Sequence, residues 1–199
     1  MEGERMKAGV NGVTANTPKN ILFGAGTIHK NLKYTSNAWN FDTSIVGATN
    51  GGSKLSIVPE LVDIPVDGVS VPVKGLKKKV GEAATMEVNF AELTEDIVVA
   101  ATLGAIADTS DVTTHDLIQS KADILDSDYW ENVAFVGKTL EGKDIIAILE
   151  NPLITTGMEN EGKSKEGSVG ACTFTCHADL LAEDLTILPW KIYYPTPTV

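Results

Sequence analysis

No stretch of this 199-residue chain approaches the roughly 18–20 consecutive apolar residues that carry a helix across a bilayer. An integral helical membrane protein is therefore not expected. Cysteine is almost absent: only Cys172 and Cys176 occur, and at even separation on one strand they would share a face about 13 Å apart, too far to bridge. They read as small apolar residues in a reducing compartment, with an intersubunit thiol contact as the other reading. Basic residues are the minority, 16 Lys plus Arg against 27 Asp plus Glu for a net charge of −11. That balance argues against a module that grips nucleic acid by neutralising phosphates. The opening segment, Met1 to Lys19, lacks the apolar run of a secretion signal. Its Gly, Asn, Thr and Pro content suits a mobile arm, and export through the general secretory route is not expected.

The signals of common catalytic apparatus are also missing. The chain has no GxGxxG, no P-loop lysine motif, no GxSxG elbow and no HExxH. The nearest approach to a metal set is Cys172, Cys176 and His177, but on a flat strand the His would point away from the thiols. His29 and His115 stand alone and read as surface or satisfied histidines rather than general bases. Asp108, Asp111 and Asp116 lack the alternating spacing of a calcium loop. Asp126 and Asp128 read as turn residues, and as a pair of catalytic carboxylates only weakly. No enzyme activity, cofactor or metal is expected. Trp39, Trp130 and Trp190 do not interleave with basic residues as a nucleic-acid surface would, and are expected to anchor a core or an interface.

What is present is ordinary folded-protein composition, 43% hydrophobic and 22% charged, in a length that favours one domain over residues 20–199 after an arm over residues 1–19. Glu82 to Phe90 alternates cleanly, placing Ala84, Met86, Val88 and Phe90 on one face of a half-buried strand. Lys54 to Leu61 repeats the pattern after a turn at Gly51-Gly52, with Pro59 marking a bulge or a sheet edge. From Val62 to Val80, Pro65, Gly68, Pro72 and Gly75 interrupt short valine-rich pieces and predict a protruding loop or irregular hairpin. Its Lys77-Lys78-Lys79 run reads either as a solvated strand end or as a contact for an acidic partner.

One helix is predicted, Thr94 to Leu103, with Thr94 as cap, Glu95 and Asp96 at the positive dipole end, Gly104 as stop, and a Leu93–Val98 staple. Ile97, Val98, Ala101 and Ala105 supply its apolar stripe. Short strands follow near Leu117–Leu125, Val133–Lys138 and Asp144–Leu149, with a hairpin turn at Glu141-Gly142. The charged ENEGKSKEG segment, residues 159–167, suits a hairpin tip before a strand from Val169 to Asp179, and WKIYY from Trp190 suits a last strand. The expected fold is mainly β, packed sheets in a sandwich or barrel-like unit with one flanking helix around 94–103.

Taken in order, ILFGAGTI from Ile21, GATNGGSKLSI from Gly47, IPVDG from Ile64, PVKGLK from Pro72, EAATMEVNFAELTEDI from Glu82, DYWENVAFVG from Asp128, LENPL from Leu149 and PWKIYYP from Pro189 resemble the major tail tube proteins of tailed bacteriophages. No single string is specific; their order, with one helix among strands, carries the likeness. The chain departs from some members in its longish N-terminal arm and in the immunoglobulin-like module they carry, which is not expected after Pro195. The resemblance implies packed sheets with a flanking helix, subunits that close into hexameric rings, and rings that stack into a hollow tube. It implies assembly in the host cytoplasm into the virion tail. Partners would be further copies of the chain, the tail tip and terminator proteins, and a sheath where the tail contracts.

DNA would be passing cargo rather than ligand: a six-copy ring would carry about −66, six times −11, and an acidic bore lets phosphate slide. Edge strands and arms that would aggregate in a monomer are satisfied by ordered neighbours in a ring. On that basis Val66, Asp67, Val69, Val71, Lys74 and Lys77 are the candidate inter-subunit contacts, with a second irregular arm at residues 159–167. The rival reading is a β-sandwich carbohydrate-binding module, which would need an aromatic platform for sugar stacking.

Overall fold

The computed structural model describes residues 12–14, 16–108, 111–160, 167 and 169–196. Two four-stranded antiparallel sheets form the body. The first takes β1 (Leu22–Lys30), β8 (Asn132–Thr139), β9 (Asp144–Glu150) and β12 (Trp190–Tyr193), in the order β1-β8-β9-β12. The second takes β10 (Pro152–Ile154), β11 (Gly170–Cys176), β5 (Lys77–Phe90) and β4 (Thr49–Asp63), in the order β10-β11-β5-β4. Two-stranded pairs add β2 (Tyr34–Thr35) with β3 (Ala38–Trp39), and β6 (Ala105–Ile106) with β7 (Ile118–Gln119). The helices are α1 (Thr17–Asn20), α2 (Phe41–Ser44) and α3 (Glu95–Thr102). The protein is mainly β, as the sequence predicts.

The alternation in β5 sets the core. Ala84, Met86, Val88 and Phe90 are buried, and across the ladder β11 turns Cys172, Phe174 and Cys176 to the same interior. The first sheet answers with Ile28, Val133 and Leu149, so the inner faces of both sheets meet in one cluster. Phe174 is its hub, with ring centroids 5.1 Å from Trp130 and 6.4 Å from Phe90. α3 closes this layer with Ile97, Ala100 and Ala101.

The first sheet is covered on its outer face too. Ala134, Val136, Ile146 and Ile148 pack under Leu32, with Trp39 and Phe41 against them. This is why β9 reads DIIAILE with no alternation: a strand buried on both faces has no polar side to show. The covering β2–β3 hairpin turns on Ser36-Asn37, both at positive φ (53° and 64°), which gives the strands their native twist without glycine.

Several boundaries differ from expectation. Gly51-Gly52 is not a turn before a strand but lies inside β4, where positive φ at both and a register shift between Thr49 and Ser53 make a bulge. The irregular segment is shorter than 62–80, because Leu61–Asp63 still pair with Lys77–Lys79 and only residues 64–76 leave the ladder. Pro59 does sit on the edge strand, one residue before a register shift at Glu60/Leu61. The strand expected over Leu117–Leu125 shrinks to Ile118–Gln119. α3 spans Glu95–Thr102; Thr94 makes no side-chain cap, and the helix ends on Leu103 in left-handed geometry rather than on Gly104. The end of the expected N-terminal arm enters a short helix, Thr17–Asn20, and the rest of residues 1–19 lies mostly outside the described residues. Most of the second irregular arm, residues 161–166, also lies outside them.

Candidate assembly surface

β4 and β5 run past the body as a two-stranded arm. The ladder continues to Asp63↔Lys77, reinforced by a 3.1 Å Lys77–Asp63 ion pair, and one further bond joins the Ile64 amide to the Leu76 carbonyl at 2.7 Å. Beyond it the tip folds on two tight turns. Val69 N–H donates to Val66 O at 3.2 Å around Asp67-Gly68, and Leu76 N–H donates to Val73 O at 3.1 Å around Lys74-Gly75. Gly68 and Gly75 have φ of 84° and 96°, the third-position geometry that a type II turn reserves for glycine. The tip therefore has a defined shape.

That shape displays aliphatic side chains to solvent. Val66, Val69 and Val71 are all exposed, Val71 at 66%, and so are Leu61, Val62, Ile64, Val73 and Val80. Asp67 and Lys74 are exposed between them. All six candidate contact residues thus lie on the arm, five at its tip and Lys77 where the return strand begins. The lysine run is part of the strand: Lys77 pairs with Asp63, and Lys79 pairs at 2.5 Å with Glu82 at the arm's base. That bond to Lys79 holds the Glu82 carboxyl below the usual range, helped by the Leu188 amide.

A second apolar feature leaves the body at the same end. The loop after β11 returns to β12 by way of Leu188, whose amide donates to Glu82 at 3.2 Å. Along it, Leu180 and Leu181 are 84% and 89% exposed, and Leu185 and Ile187 are also exposed. Asp179 builds the turn that presents the leucine pair: its carboxylate accepts from the Leu181 amide at 2.8 Å and its carbonyl from the Ala182 amide at 3.0 Å. Asp184 does the same for Thr186 at 2.8 Å.

Off the other end of β12 lies an aromatic groove of about 570 Å³, lined by Tyr34, Trp39, Ile146, Tyr193 and Tyr194 with Asp144. Trp39 organises it, 5.1 Å from the Tyr34 ring and 5.1 Å from the Tyr193 ring. The sequence names Trp39 as an anchor but gives no sign that Tyr34 and Tyr193, 159 positions apart, would flank it. The Tyr34–Trp39 register of the short hairpin makes that contact.

Several of the residues weighed for chemistry make structural contacts. His29 is buried with Nε2 2.7 Å from Thr27 Oγ1 and Nδ1 2.8 Å from Ser44 Oγ. Ser44 Oγ spends its proton on the Asn40 carbonyl at 2.8 Å, so Nδ1–H donates to Ser44 and Nε2 accepts from Thr27. Burial pushes the imidazole pKa down, and the ring is a neutral core histidine. Cys172 and Cys176 are free and buried, which removes them from any subunit contact. Burial raises both thiols, Cys176 to about 11. His177 turns its ring against Tyr129, 5.3 Å away, and the described residues include no cluster of three His, Cys, Asp or Glu able to hold a metal.

Asp126 and Asp128 form a short 3-10 turn. Burial would raise the Asp128 carboxyl, but Lys121 and the 2.7 Å bond from the Leu125 amide outweigh it and hold it low. Lys30, in a cleft of about 320 Å³, pairs with Asp96 at 3.1 Å and lies 4.7 Å over the Trp130 ring. The sequence matches no protein-family model and no curated protein.

Proposed function

We propose that this protein is a structural subunit that polymerises, in rings that stack, into a hollow tube of the tail tube kind, with DNA as passing cargo. The observation that carries the reading is the β4–β5 arm. An edge hairpin that exposes aliphatic residues from Leu61 to Val80 is a liability in a monomer and an asset in an ordered polymer, where neighbours cover it. Its turns give it one shape before contact, which lowers the entropy lost on docking. The outer face of the second sheet supports the same reading. It shows Thr85, Thr173 and Thr175 with the Lys54–Glu87 pair at 2.8 Å, and Thr155 and Thr175 share a 2.9 Å hydroxyl bond. A wall of hydroxyls with balanced charge, in a chain of net charge −11, suits a bore past which a polyanion slides without sticking.

Deleting Val66 to Pro72 removes the tip while leaving the ladder and both sheets. The expected outcome is a folded monomer by circular dichroism and sedimentation that forms no tubes by negative-stain microscopy; tubes of normal appearance from the deletion variant would overturn the assignment. The carbohydrate-binding reading has one observation in its favour, the Tyr34–Trp39–Tyr193 groove, since sugar rings stack on exposed aromatic faces. Saturable binding on a glycan array, lost in Tyr34→Ala, would support it.

A further inference from the structure

We infer that the aromatic groove of one copy receives the Leu180–Leu181 turn of the next, a head-to-tail contact between copies of this chain; the inference rests on the polymer reading above. Among the described residues, nothing covers either half of the contact. Two leucines at 84% and 89% exposure are the most exposed large apolar side chains among the described residues, and they are not frayed ends. The Asp179 carboxylate and carbonyl fix the backbone beneath them, so they project as a preformed knob. The groove is the complementary shape: about 570 Å³, ample for two leucine side chains, and walled by aromatic rings whose own contacts hold them in place.

Position selects a second copy as the occupant. The turn comes before β12 and the groove follows it, so knob and hole lie off opposite ends of the same strand. Trp190 pairs with Leu149 at the knob end, and Tyr193 pairs with Ile146 at the groove end. Cys176 Sγ, 3.2 Å from the Glu150 carbonyl, ties the end of β11 to that knob end, and Leu188 on Glu82 ties the loop to the base of the arm. Arm and knob therefore continue one apolar end of the molecule. A chain with a knob at one end and its hole at the other makes heterologous contacts, and such contacts propagate along an axis instead of closing into a two-fold dimer. A glycan in the groove would leave the knob without a purpose.

The test uses two full-length variants, Leu181→Cys and Tyr34→Cys; both substituted positions are exposed, while the native thiols are buried. Mixed and mildly oxidised, they are expected to give the mixed disulfide in several-fold excess over either homodimer, with Leu180→Asp in the Leu181→Cys chain abolishing it. A mixed product no more abundant than random pairing gives, which is about twice either homodimer, or no mixed product, would overturn the contact. Soluble glycan that quenches Trp39 fluorescence, with no mixed product, would overturn it in favour of sugar binding. The readout does not need tubes: a wild-type chain that never forms rings or tubes counts against the polymer reading, whereas assembling wild-type protein without the mixed disulfide counts against the knob and groove alone.

Discussion

Gly26 is where the first sheet can least tolerate change. It sits at φ 68° in the bulge of β1, and a Cβ there would lie 2.3 Å from the Phe135 ring and 2.8 Å from the Val136 carbonyl. Gly26→Ala would meet both a left-handed backbone and a backbone oxygen that cannot move, at a cost of about 2–4 kcal/mol. Urea denaturation checks this, and an unchanged midpoint would contradict the packing described. The string GAG shows in the sequence, but the clash that requires it comes from a residue over a hundred positions away. His29 is similar. Alone in the sequence it has no visible partners; in the fold it bridges Thr27 and Ser44. Because burial lowers its folded pKa beneath the ordinary 6.5, the unfolded chain binds the proton first. The His29 contribution is thus complete above pH 6.5 and is lost as pH falls through the window below it. Thermal melts should show this slope as pH falls below 6.5, and His29→Gln should flatten it.

Elements with a clean period were legible and those shaped by partners were not. β5 announces itself because one face meets the core and the other water; β9 hides its faces because both are covered. β4 reads as starting only at Lys54, after a turn, because the Gly51-Gly52 bulge breaks the alternation without breaking the strand. On β11 the even spacing of Cys172 and Cys176 predicts a shared face, and that face, with Phe174 between them, lines the core. Both thiols should therefore resist a disulfide-exchange reagent such as DTNB at pH 8 in the native protein, and both should titrate in denaturant. Rapid native labelling of either would show that the sandwich opens at that strand. The arm was visible as Pro- and Gly-punctuated valines, though its ladder reaches further than those interruptions suggest. The groove was not visible: β2 and β3 are two residues each, turned by Ser36-Asn37 rather than a glycine pair, and Tyr193 arrives from the far end of the chain.

At the scale of the whole molecule the sandwich is a platform that carries an exposed valine-rich arm and an exposed leucine turn. A core shared by both sheets, with α3 and the β2–β3 hairpin as covers, leaves no structural need for a valine-rich arm or for a leucine pair held out on a turn. On the proposed reading, neighbouring copies bury them. On the same reading, the excess of acid over base would keep the chain soluble before assembly and leave a polyanion unbound after it. Negative-stain microscopy of the purified full-length protein, across concentration and salt and with tail-tip components added, tests this most directly. The account predicts hollow tubes or stacked six-fold rings; protein that stays monomeric under every one of those conditions would contradict it.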